Sequence, residues 1–129
     1  MKKKITALVM AAAMCLSVAA CGSSDNGGSG DTAKDTYTVG ICQLVQHQAL
    51  DAATKGFKDA LKEELGDKVE FVEQNAANDI PTCGTICNGF VSDGVDLILA
   101  NATPALQAAT AATQSIPILG TAVTEYGVA

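Results

Sequence analysis

The stretch Val95 to Ala100, VDLILA, is an almost unbroken apolar run of strand length. A strand covered on one face alternates apolar and polar residues, whereas a run without alternation belongs in a parallel sheet covered on both faces. VDLILA therefore reads as a central parallel strand. Asn101-Ala102-Thr103-Pro104 punctuates it. An Ala-rich helix is predicted from about Pro104 to Gln114, with Thr103 as its N-cap and Pro104 in the first helical position. Ile116 to Gly120 (IPILG) follows as another strand, with Pro117 placed where no ladder donor is needed.

The same alternation of elements extends upstream. Tyr37 to Leu44 (YTVGICQL) is short, apolar and rich in β-branched residues, as a strand requires. Leu50, Ala53, Phe57, Leu61 and Leu65 recur every three or four residues, with Lys55, Lys58, Asp59, Lys62 and Glu63 on the other side. That spacing predicts an amphipathic helix closed by Gly66, with Asp51 and Lys55 as a pair four apart on its outer face. Val69 to Gln74 (VEFVEQ) alternates like a strand. A helix from Asn78 or Asp79 to about Ser92 would carry Pro81 in its first turn and turn Cys83, Ile86, Cys87, Phe90 and Val91 to the core. Gly84 and Gly89 weaken that helix by about 1 kcal/mol each relative to alanine, and are read as close-packing positions.

The order is β-α-β-α-β-α-β, which predicts an α/β fold: a doubly wound parallel sheet with right-handed crossovers and helices on both faces. Four strands and three helices leave one flank thinly covered, as in the first part of a longer protein.

The start of the chain reads as a targeting segment. Lys2, Lys3 and Lys4 precede an uncharged apolar stretch, Ile5 to Ala20, that is too short to span a bilayer comfortably. Val18-Ala19-Ala20-Cys21 looks like a bacterial lipobox, in which Cys21 is acylated after cleavage. Residues 1–20 are thus expected to be a lipoprotein signal peptide and residues 21–36, rich in Gly, Ser and Asp, a flexible tether. The folded body is expected over residues 37–129.

Removing the signal leaves five lysines, no arginine and 14 acidic residues, a net charge of −9. Such a chain cannot neutralise a row of phosphates, so a nucleic-acid partner is excluded, and membrane attachment falls to the lipid. Of the five cysteines, Cys42, Cys83 and Cys87 remain for the fold. A metal site at Cys83 and Cys87 would need more ligands, and His47 is the only imidazole; buried, unpaired thiols fit better, and no cofactor is expected.

Ligands of an open parallel sheet sit beyond the carboxyl ends of its strands. This selects four loops: Val45 to Ala49, Asn75 to Asn78, Asn101 to Thr103 and Thr121 to Thr124. Their amides and hydroxyls suit recognition rather than reaction. There is no glycine-rich phosphate loop, no Gly-x-Ser-x-Gly elbow, and no acidic set of the phosphorelay kind, Gln43 and Asn101 standing in those places. A Cys42 and His47 dyad has no orienting acid. The chain is read as a binding protein, not an enzyme. At the third loop, the helix end that Thr103 caps could also receive a carboxylate.

Several segments in order carry a resemblance: TVGICQLVQHQALDAATKGF from Thr38, TICN from Thr85, DLILANATPALQ from Asp96 and PILGTAVT from Pro117. They resemble the N-terminal lobe of ABC-transporter substrate-binding lipoproteins, including tryptophan- and tyrosine-binding members, over Tyr37 to about Tyr126. The resemblance implies a two-lobed type I periplasmic-binding-protein fold that closes on solute. It also implies a location outside the cytoplasm, anchored to the bacterial cell membrane by lipid on Cys21, and an ABC permease as partner. An aromatic or related amino acid would be the solute. Gln46, His47, Asn75, Thr103, Thr121, Ala122 and Val123 map to the cleft, and Asn101 joins them from the third loop. The chain departs from the pattern in lacking the second lobe, so it offers half a pocket. A sensor or protein-interaction lipoprotein on the same fold, or a sugar or nucleoside as solute, are the alternatives. His47 is read as a contact on a loop, so that His47→Ala would weaken solute binding and leave stability nearly unchanged.

Overall fold

The computed structural model describes residues 34–128. The expected signal peptide, the lipidation site Cys21 and most of the tether lie outside the described residues. Lys34, assigned to the tether, pairs with the Asp96 carboxylate and so joins the folded body.

The elements are β1 (Tyr37–Gln43), α1 (Gln48–Leu65), a 3-10 turn (Gly66–Lys68), β2 (Val69–Asn75), α2 (Ile80–Asp93), β3 (Leu97–Asn101), α3 (Thr103–Ala112), β4 (Ile118–Thr121) and a last 3-10 turn (Tyr126–Val128). All strand pairings are parallel, and the sheet order is β2-β1-β3-β4. The chain steps outward from β1 to β2, then crosses back to β3 and on to β4. The direction of winding thus reverses between β1 and β3, and right-handed crossovers put α1 on one face and α2 with α3 on the other.

Two apolar clusters follow from the period of two along each strand. On the α1 face, Val39, Ile41, Val69 and Leu99 pack with Phe57, Leu61, Leu65 and Phe71. On the opposite face, Cys42, Ile98 and Ala100 meet Cys83, Ile86, Cys87 and Phe90 of α2 and Ala105, Leu106 and Ala109 of α3. Phe90 is fully buried. A Cβ placed on Gly40 would lie 2.7 Å from the Phe90 ring, so β1 needs glycine there for α2 to approach.

Gly84 and Gly89, by contrast, have nothing within 4 Å of a built Cβ. The expectation that they serve close packing is therefore corrected; they face open space. The helix stops are local. Gly66 returns its N–H to the Lys62 carbonyl, and Gly94 ends α2 in the left-handed region at φ 68°. The Thr113 hydroxyl accepts from the N–H groups of Ser115 and Ile116, which ends α3 two residues before the expected Gln114.

Coverage is uneven. α1 lies over β2, β1 and β3, and Leu119 of β4, which shares a sheet face with Leu99, is 48% exposed. That is the thinly covered flank. Among the described residues no helix is long and apolar enough to cross a membrane.

Candidate functional site

The four strands end in register. Asn75 pairs with Gln43, Gln43 with Asn101, and Asn101 with Thr121, so the carboxyl edge of the sheet is a row of three amides and a hydroxyl. The loops beyond are joined by backbone hydrogen bonds. Ala76 N–H donates to Gln43 O (2.9 Å), Asn78 N–H to Leu44 O (2.7 Å), Leu44 N–H to Asn101 O (3.2 Å) and Ala102 N–H to Thr121 O (2.9 Å). Ala77, Asn78, Ala102 and Ala122 are the non-glycine residues with positive φ among those described, and all four lie in these loops. Such backbone costs on the order of 1 kcal/mol or more per residue and persists where surrounding structure holds it, often at ligand sites.

The first loop places Gln46 and His47 in solvent. His47 is the N-cap of α1: its backbone is extended, its Nδ1 accepts from Ala49 N–H (3.2 Å) and its carbonyl from Asp51 N–H (2.8 Å). The capping role was not read from the sequence, since histidine is not among the preferred caps. Asn75 is exposed, and its Oδ1 accepts from Ala77 N–H (2.7 Å), shaping the turn after β2.

The third and fourth loops meet. Thr103 Oγ1 accepts from Thr124 N–H (3.2 Å) and lies 3.2 Å from Thr124 Oγ1. Thr121 and Val123 are half-buried and Ala122 is exposed. Two expectations are corrected here. The N-cap of α3 is Ala102, at φ 98° and ψ 158°, and Thr103 is the first helical residue, its hydroxyl turned to Thr124 instead of the helix end. Asn101, expected to face solute, is closed off from solvent. Its Nδ2 donates to Leu50 O and Thr54 Oγ1 (2.9 Å each), with Gln43 Oε1 at 3.4 Å.

Gln43 is the residue the sequence reading left without a role at the edge. It is 3% exposed, donates from Nε2 to Val45 O (2.9 Å) and Asp51 Oδ1 (2.6 Å), and accepts from Thr54 Oγ1 (2.7 Å). Asp51, though exposed, is thereby tied to the end of β1, and Lys55 pairs with Asp59 instead of the expected Asp51. A signal was available: Gln43 and Asn101 continue the parity of Ile41 and Leu99, which points them under α1.

Cys42 lies next to Gln43 but on the opposite sheet face, with Cys83 and Cys87; all three are free and fully buried. Contact with the Cys87 thiol, and then burial, push the Cys42 thiol up, and burial pushes Cys83 up. Both are held as neutral thiols, poor nucleophiles. Among the described residues no group of three or more His, Cys, Asp or Glu could hold a metal ion. A groove of about 430 Å³ runs along the flank of α1, lined by Lys55, Lys58, Lys62, Asp59, Glu73 and neighbours. Lys58 answers to Glu73 at 2.7 Å and Lys55 to Asp59, while Lys62 lies 6.0 Å from the centre of the Phe71 ring, so the groove is a solvated charged face.

An edge of amides, hydroxyls and held loops at the switch point of a parallel sheet is the place where ligands of open α/β sheets bind. The family model described as ABC transporter substrate binding protein matches residues 38–128, and the chain belongs to that family. It is 42% identical, over a 132-residue alignment, to the "Tyrosine-binding protein" of Clostridioides difficile (strain R20291), covering 95% of this chain and 38% of that protein. It is 38% identical over 102 residues to the "Fructose import binding protein FruE" of Bifidobacterium longum (strain NCC 2705), covering 78% of this chain and 30% of that protein. The solved structure of an ABC domain in complex with L-Trp from Streptococcus pneumonia superposes with a TM-score of 0.66 at 34% identity, over 70% of this chain and 31% of that one. The chain thus spans less than two fifths of each of these relatives.

Proposed function

We propose that this chain is the first lobe of the solute-binding component of an ABC importer, working outside the cytoplasm and taking an aromatic amino acid. The observation that carries the reading is the carboxyl edge itself: four strand ends in register, with loops joined to one another and backbone strain confined to them. In this reading Gln46 and His47 form one lip of the cleft. Thr103 with Thr121, Ala122 and Val123 forms the other, and Asn75 lies at the end of the row. These groups offer hydrogen bonds to a carboxylate and an ammonium, and no reaction is assigned to them. The names of the tyrosine-binding relative and of the tryptophan complex support the solute class. Lipid on Cys21 would hold the lobe at the membrane beside its permease.

Isothermal titration with tyrosine, tryptophan, phenylalanine and fructose tests this. A lobe that contacts its solute from one side binds weakly, and millimolar affinity corresponds to about 4 kcal/mol. Heat with the aromatic amino acids and none with fructose is the expected result. The fructose-binding relative favours a second reading, a sugar, which the opposite pattern would establish.

A further inference from the structure

The interface between α1 and the sheet changes character along its length. Towards the amino edge it is apolar, built by Leu61 and Leu65 against Val39, Val69 and their neighbours. Towards the carboxyl edge it is a closed polar set of Gln43, Thr54 and Asn101, reaching Asp51 and the Leu50 carbonyl. Gln43 and Thr54 are 3% exposed and Asn101 0%. The geometry points to Gln43, Thr54 and Asn101 as positioning residues for solute capture: they hold the N-terminal turn of α1, and with it Gln46 and His47, in one place over the ends of β1 and β3.

This rests on the reading above that the Gln46–His47 lip meets solute. The three residues are shut away from solvent and do not touch it themselves. Apolar contacts alone would let the first turn of α1 slide or rotate, since they have no direction; hydrogen bonds of fixed length and angle do not. The set joins the two strands that flank the switch point, so it fixes the first lip relative to the start of α3. Asn101 Oδ1 is the buried side-chain polar atom without a partner among the described residues. Leaving it so costs stability, and a contact selected for stability alone would be apolar here.

Thr54 is the pivot, donating to Gln43 and accepting from Asn101. Thr54→Val keeps the shape and deletes both bonds; Thr54→Ser keeps both. In the full chain, Thr54→Val is expected to speed hydrogen exchange of the backbone amides from Ala52 to Lys55 by about tenfold or more, while those from Leu61 to Leu65 keep their rate. Affinity for tyrosine or tryptophan should fall by about tenfold, and Thr54→Ser should restore both to within about twofold of the parent. Exchange that quickens equally along α1 and the sheet would overturn the proposal, as would local quickening with unchanged affinity. If the parent chain takes neither amino acid, the solute class is what fails, and the exchange pattern with its rescue by serine decides the positioning role. Should Thr54→Val not fold, Asp51→Ala, which loosens only the rim bond to Gln43, carries the test by the same two readouts.

Discussion

Gln43 and Asn101 stand opposite each other in register at the ends of β1 and β3, and both place a side-chain amide against the same Thr54 hydroxyl. The ends of the two strands that flank the switch point are thus tied to α1 by one residue. The loops of the candidate site begin immediately beyond this contact.

His47 combines two roles that substitution can separate. As the N-cap of α1 its loss in His47→Ala should cost about 0.5–1 kcal/mol in chemical denaturation, so the expectation of unchanged stability is revised. His47→Asn restores a capping acceptor without the imidazole. Stability near the parent's with weakened solute binding is the expected result for that variant, and unchanged binding in both variants would remove His47 from the cleft.

The glycines divide by what a methyl group would meet. Gly40→Ala drives a Cβ into the Phe90 ring and should destabilise by about 1–3 kcal/mol. Gly84→Ala and Gly89→Ala extend into open space on a helix and should each stabilise by about 0.5–1 kcal/mol. Urea unfolding midpoints of the three variants check both signs.

The buried thiols should be silent. In the folded protein Cys42, Cys83 and Cys87 are expected to resist alkylation by iodoacetamide at neutral pH, because all three are fully buried; Cys42 and Cys83 are also held neutral, whereas contact with Cys42 draws the Cys87 thiol down, so Cys87 is protected by burial alone. After unfolding all three should label, as read by peptide mapping. Rapid labelling of Cys42 in the native state would contradict the packing of α2 on β1.

Acid should find one weak point at the amino edge. The Lys34 ammonium, and then the Thr38 N–H at 2.9 Å, hold the Asp96 carboxyl below its ordinary range. A depressed carboxyl contributes stability that is fully present above its unfolded value and is lost as pH falls through its folded value. The stability of the parent should therefore drop from about pH 4 downward more steeply than that of Asp96→Asn, measured as urea midpoints across that range. Parallel curves for the two proteins would remove this pair from the acid response.

The fold was legible because its strands differ in kind. VDLILA, without alternation, marked the centre; VEFVEQ read simply as a strand, and its place at the edge, with Glu70 and Glu73 exposed, came from the structure. The positions of the four loops of the candidate site followed from the order of elements. Their interior did not. Nothing in Asn101-Ala102-Thr103-Pro104 signals that an alanine takes positive φ and displaces Thr103 from the cap into the helix. Asn101 was placed with the solute contacts because it was read as the first loop residue, whereas it is the last residue of β3, with the parity of Leu99. Asp51 was read by helix spacing as a partner of Lys55; a glutamine at the end of β1, eight residues upstream, claims it instead. In each case a partner on another element outweighed a local preference.

The row Asn75, Gln43, Asn101, Thr121 also acts as a border. The large apolar side chains that hold the sheet to its helices lie mostly on one side of it, and the exposed loop residues that differ in what they can recognise lie on the other. Changes at Gln46, His47, Asn75 or Ala122 leave those packed side chains untouched. In the proposed reading, a lobe of this design can trade one solute for another by small steps without having to relearn how to fold.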